Sequence, residues 1–174
     1  NNTTVNGRLY YVAGDINISL FDCTNVVWHN KTLYDEKREP TDPENMQLLA
    51  LEGLWTYDEL YRWASRLFED SNGTPGRQLD DTYAYGTERR GEGSPCPTDA
   101  IPHAWDLNFL VENNDGTHSY NIVGNDKAEE ALTKYRNLFD GTGTIENATV
   151  GNFAEGHYMF YANLMYPGQD GNMM

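Results

Sequence analysis

An α/β layer sandwich is the fold class that this sequence predicts, on three observations. Strand-like and helix-like stretches alternate in the order strand, strand, helix, strand, helix, strand, helix, strand. The two longest helical patterns each carry an apolar stripe behind a capping residue. The stretches read as strands are short, and several are rich in β-branched and aromatic residues. The expected architecture is a single three-layer lobe over residues 1–174, with a mixed sheet of about five strands flanked by helices.

Residues 8–13 (RLYYVA) read as a first strand between the turn at Asn6-Gly7 and Gly14-Asp15, and residues 16–21 alternate weakly. Residues 24–29 (TNVVWH) form a second strand that runs into a short helix over 30–34. A charged, proline-bounded loop over 35–43 precedes a short helix and turn over 44–54. Thr56-Tyr57-Asp58-Glu59 is a capping box: the Thr56 hydroxyl accepts from the Glu59 amide and the Glu59 side chain reaches back. Behind it Leu60, Trp63, Ala64, Leu67 and Phe68 share one helix face, and the helix is expected to end near Asp70.

After a loop over 74–81, residues 82–86 (TYAYG) read as a short buried strand. Residues 87–97 are rich in glycine and proline and read as a loop. Thr98 is expected to cap a helix running through Trp105, Phe109, Leu110 and Val111. The turn at 113–116 leads to a strand over 118–123. Asn125 caps the next helix, whose apolar stripe is Ala128, Leu132, Tyr135, Leu138 and Phe139, and Asp140-Gly141 stops it. A polar loop, a short helix at Val150 and Phe153, and Gly156 lead to a strand over 157–162. Its exit loop, 163–168, is aromatic and polar, at a strand end where open α/β sheets bind ligands.

Composition narrows the function. A net charge of −15 repels nucleic acid and anionic membranes, and no basic patch offsets it. No apolar run is long enough to span a membrane. The acidic surface and the termini, Asn1 and Met173-Met174, suggest a piece of a longer secreted protein. Twelve Tyr and four Trp fit either a core of mixed polarity or a surface on which sugar faces stack. Cys23 and Cys96 form either a disulfide or two buried thiols, and the four histidines show no metal spacing. Glycosylation sequons such as those at Asn2, Asn17, Asn30, Asn72 and Asn147 are read as chance products of an Asn- and Thr-rich chain.

Catalytic signatures are absent from the sequence: there is no G-x-S-x-G, no P-loop and no G-x-G-x-x-G. A glycosidase needs two carboxylates across a cleft, and the acids here (Asp80-Asp81 among them) read as surface charge.

Several motifs resemble those of the extracellular solute-binding proteins of carbohydrate ABC importers, family 1, the maltose-binding-like group. They are Asn6-Gly7-Arg8-Leu9-Tyr10-Tyr11; Trp28-His29-Asn30-Lys31-Thr32-Leu33; Leu54-Trp55-Thr56-Tyr57-Asp58-Glu59-Leu60; the strand ending Tyr85-Gly86; and the Phe153-Ala154-Glu155-Gly156 turn before Tyr158-Met159-Phe160-Tyr161. The chain departs from the family with His29 for an aromatic and Ala13 where proline is common.

The resemblance implies a type II periplasmic-binding-protein-like fold, with this chain mainly the second of two lobes. It implies capture of a sugar or oligosaccharide by lobe closure, with no catalysis and no cofactor. It also implies partnership with the permease subunits of the importer and an extracellular, lipid-anchored or periplasmic location. The expected ligand-binding residues are Asp15 after the first strand, His103 and Trp105 at a helix start, and Asn163 and Tyr166 beyond the last strand. Each has a plainer reading too: Trp105 as core, Tyr166 as lobe-edge packing, Asp15 as a turn cap. A secreted carbohydrate-active enzyme or a carbohydrate-binding module is the competing expectation.

Overall fold

A computed structural model describes residues 4–5, 8–9, 24–88 and 104–165. The elements are β1 (Thr4–Val5), β2 (Arg8–Leu9), β3 (Asn25–His29), α1 (Lys31–Lys37), α2 (Met46–Leu51), α3 (Tyr57–Ala64), β4 (Phe68–Glu69), β5 (Thr82–Thr87), β6 (Leu110–Glu112), β7 (His118–Tyr120), α4 (Asp126–Asp140), β8 (Thr144–Glu146), α5 (Val150–Ala154) and β9 (Tyr158–Leu164). The fold is α/β, with a mixed five-stranded sheet flanked by helices. Strands run in the order β3, β9, β5, β4, and β8 pairs with β5 as well.

β5 and β9 form the parallel centre of the sheet, with Tyr83 opposite Tyr158 and Thr87 opposite Ala162. Both are buried along nearly their whole length, the pattern of strands covered on two faces. One edge of β5 is divided: β4 pairs antiparallel at Thr82 and Tyr83, and β8 pairs parallel at Tyr85 to Thr87. β3 lies outside β9, antiparallel, with Asn25 opposite Leu164 and His29 opposite Phe160.

One face of the sheet carries the larger core, in which Leu33, Tyr34, Met46, Leu60, Trp63 and Leu138 from α1 to α4 meet Met159, Phe160 and Ala162 of β9. The other carries Tyr83, Tyr158, Tyr161 and Ala148, covered by Val150 and Phe153 of α5. Gly86 permits that second layer to close: a Cβ there would stand 2.9 Å from the Ala148 methyl and from the Tyr158 ring. Gly143 permits β8 to reach the end of α3, where a Cβ would meet the Ala64 carbonyl oxygen at 2.2 Å.

The caps form where sequence places them. Thr56 accepts from the Glu59 amide at 3.3 Å, Asn30 from Leu33 at 3.0 Å and Asn125 from Lys127 at 3.0 Å. The capping box is only half made, however. The Glu59 carboxylate turns instead to Arg62 and to the indole N–H of Trp63 at 3.2 Å. Arg62 and Arg66 also bind the buried carboxylate of Asp42, and the Arg66 guanidinium lies 3.7 Å from the Trp63 ring centroid.

Other expectations are corrected. The helix begun at Thr56 ends at Ala64 rather than near Asp70, and Phe68–Glu69 is an edge strand pairing with β5. Leu110 and Val111 belong to the β6–β7 hairpin and not to a helix, closed by a turn in which Asn113 and Thr117 bond to each other. Leu132 is 61% exposed, so the buried stripe of α4 is Ala128, Ala131 and Leu138. The loop expected after α4 contains β8. Residues 10–13, 16–21, Cys23, Cys96 and 98–103 lie outside the described residues, so the readings there have no structural counterpart. Among the described residues no helix is long and apolar enough to cross a membrane. Among them, too, no cluster of His, Cys, Asp and Glu could hold a metal ion.

Candidate functional site

The carboxyl ends of the parallel strands β5 and β9 open into a cleft of about 490 Å³. Open α/β sheets bind ligands outside the carboxyl ends of their strands. Tyr85 and Ala162 line its floor, and the edge strand β3 contributes Asn25, Val26 and Val27. The start of α3 supplies Trp55, Thr56, Tyr57 and Asp58, while Trp105 and Lys134 complete the wall. The indoles of Trp55 and Trp105 and the ring of Tyr57 are all half-buried, leaving part of each exposed.

Local folding explains why these rings gather. Trp55 and Tyr57 flank the Thr56 N-cap, where the chain changes direction on entering the helix. Trp105 is carried by a turn in which Asp106 adopts φ +48° and Leu107 is buried. Lys127 of α4 holds that turn through the Asp106 carbonyl at 3.3 Å. The Trp105 and Tyr57 rings meet at 4.3 Å between centroids, tilted by 42°. Burial, together with neighbouring Tyr135, pushes the Tyr57 hydroxyl up to about 12, so it stays a neutral donor and acceptor at physiological pH.

Polar groups stand at the rim. Lys134 pairs with Asp58 at 2.8 Å and with Glu130 at 3.3 Å, joining α4 to the start of α3. The bond to Asp58 and then that to Glu130 raise the Lys134 pKa, so it is a cation throughout the physiological range. Asn25 and Thr56 are exposed and offer an amide and a hydroxyl. Aromatic faces beside short polar groups are what a flat, hydroxylated molecule requires.

Of the five residues expected at the site, Trp105 lies in this cleft. Asp15, His103 and Tyr166 lie outside the described residues. Asn163 requires correction. β9 runs on to Leu164, so Asn163 is inside the strand, opposite Val26 and fully buried. Its amide donates to the Tyr161 hydroxyl at 2.7 Å and its carbonyl accepts from the Leu164 amide at 2.7 Å. Because side chains alternate along a strand and Ala162 lines the cleft, Asn163 faces the opposite layer.

Sequence reasoning missed Trp55, Tyr57, Asn25, Asp58 and Lys134 as site residues. The signal for the first two was present: aromatic side chains on both sides of an N-cap cannot both enter the helix's buried stripe. Lys134 carries no such signal, because its approach to Asp58 depends on how α4 packs on α3.

Comparison of the chain with models of known protein families, with curated proteins and with solved structures finds no match.

Proposed function

We propose that this chain binds carbohydrate, as a lobe of the solute-binding component of an ABC importer. The observation that carries the reading is the cleft at the carboxyl ends of β5 and β9, where Trp55, Tyr57 and Trp105 surround polar groups from Asn25, Thr56, Asp58 and Lys134. Sugar rings stack on such faces while their hydroxyls take the rim's hydrogen bonds. The motif residues around Thr56 and Asn30, which resemble those of family 1 solute-binding proteins, support the same reading. In that reading a second lobe closes over the ligand, permease subunits receive it, and the protein works outside the cell or in the periplasm. Asp58 is the single carboxylate among the described lining residues, and it is committed to Lys134. Hydrolysis of a glycosidic bond calls for two, so the arrangement favours capture over catalysis.

Calorimetry of the chain against a panel of mono- and oligosaccharides, with a peptide control, tests this. Saccharide binding should change tryptophan emission, since Trp55 and Trp105 line the cleft while Trp63 is fully buried. Binding of the peptide with no saccharide bound would overturn the proposal.

A further inference from the structure

His29 ends a row of side chains on β3. Residues two apart on a strand share a face, and Asn25 and Val27, which precede it in that row, line the cleft. Its imidazole is packed among rings. It stacks on Phe160 of β9 at 5.3 Å between centroids, with the planes 19° apart, and meets Tyr34 of α1 edge-on at 5.1 Å. Phe160 in turn lies 4.8 Å from Trp55, which lines the cleft. The His29 Nε2 is buried with no hydrogen-bond partner among the described residues. A neutral imidazole tolerates this, because one of its nitrogens is only an acceptor, whereas an imidazolium carries N–H on both. Protonation therefore sets a charged donor against Phe160 and against Tyr34, whose hydroxyl is turned to the Pro43 carbonyl at 2.5 Å. The face of Phe160 attracts a cation, but by less than the lost hydration costs. Burial is the largest influence on the ring and lowers its pKa from 6.5; Asp35 of α1 opposes that and Lys31 adds to it, and these two are paired with each other. β9 and α2 contain no charged residue.

We propose that His29 makes the cleft sensitive to acid: on taking up a proton it loosens β3 and Trp55 against Phe160 and releases the bound saccharide. The inference rests on the carbohydrate reading above and adds a regulation to it. Because the folded-state pKa is lowered, the stability that the neutral ring contributes is present in full above the unfolded value of 6.5. It is lost as pH falls from there through the lowered folded value.

The test compares the parent chain with His29→Phe, which keeps a ring in the stack and removes the titration. Melting temperatures and calorimetric affinities for a panel of saccharides are taken at about pH 7.5 and about pH 5, above the carboxylate range. The other histidines are present in both proteins, so their titration cancels. On acidification the parent should lose about 2–4 °C more than His29→Phe. Its saccharide affinity should weaken about threefold or more, while that of the variant stays within about twofold. Equal losses of melting temperature in the two proteins overturn the proposal. A parent that melts earlier in acid yet binds saccharide equally well at both pH values overturns the link to the cleft. Failure of every saccharide to bind at either pH overturns the carbohydrate reading, and the melting temperatures still decide the acid response of His29. If His29→Phe does not fold, the histidine ring resonances of the parent decide: one ring must stay neutral as pH falls past 6.5, and protonation of every ring near that value overturns the proposal.

Discussion

The two faces of the sheet are both aromatic, yet they are finished in opposite ways. On the α5 side Tyr83, Tyr158 and Tyr161 are fully buried, and each hydroxyl has a hydrogen bond. Tyr83 donates to the Gln78 carbonyl at 2.9 Å, Tyr158 to the Leu79 carbonyl at 2.8 Å, and Tyr161 accepts from Asn163 at 2.7 Å. On the cleft side Trp55, Tyr57 and Trp105 touch neighbours on one face and leave part of their rings uncovered. A closed aromatic layer contributes stability, whereas an open one keeps surface in reserve for a ligand. Twelve tyrosines in the sequence thus serve two purposes, which their number alone cannot separate.

Substitutions can break that contrast. Tyr158→Ala should cost the most, about 3–5 kcal/mol of stability, because a fully buried ring leaves a cavity and the Leu79 carbonyl loses its donor. Thermal unfolding checks it; a melting temperature within a degree or two of the parent would show that the α5 layer is not a true core. Next comes the polar clamp behind the open face. Burial alone would raise the Asp42 carboxyl pKa, but bonds from Arg66, the Glu39 amide and Arg62 outweigh it and hold the group below 3.8. A lowered folded-state value means the clamp's stability is fully present above the unfolded pKa and is lost as pH falls through the folded one.

Asp42→Asn should therefore cost about 1–3 kcal/mol at neutral pH, since both guanidinium partners keep some water, and less at acid pH. Denaturant titrations at neutral pH and at a pH below 3.8 compare the two, and an equal loss at both would refute the linkage. Tyr57→Ala should do the reverse of Tyr158→Ala, weakening saccharide binding about tenfold to a hundredfold with only a small change in melting temperature. The smallest effect is expected of Tyr158→Phe, which loses one buried hydrogen bond, about 1 kcal/mol, and should leave saccharide affinity untouched.

Much of the scaffold is legible in the sequence, for identifiable reasons. α3 and α4 announce themselves by Thr56 and Asn125 as caps, and β5 and β9 by runs such as TYAYG and YMFY. The two- and three-residue strands β4, β6 and β8 escape because alternation needs more length than they have. Thr144-Ile145-Glu146 becomes a strand only because Gly143 lets it lie beside β5. Leu132 shows how a stripe read from spacing can be displaced: Ala131 faces the core in its place, because small residues allow α4 to sit close. Asn163 was misplaced by a strand boundary of two residues, enough to move a side chain from a loop into a buried layer. Trp105, which the sequence singles out, lines the cleft, whereas Lys134 joins it only through the packing of α4 on α3.

The position of β9 has a consequence for the order in which the protein can assemble. It is the last described strand in the chain, yet it lies between β3 and β5, and β8, the other parallel partner of β5, directly precedes it. A nascent chain that has released residues 24–88 therefore displays a central strand, rich in tyrosine, with one long edge and most of the other bare. Exposed strand edges of that kind recruit other chains. The interval between the emergence of β5 and that of β9, more than seventy residues of synthesis, is then the period of greatest exposure to misassembly. β8 closes one open edge of β5, and the arrival of β9 closes the other together with the facing edge of β3.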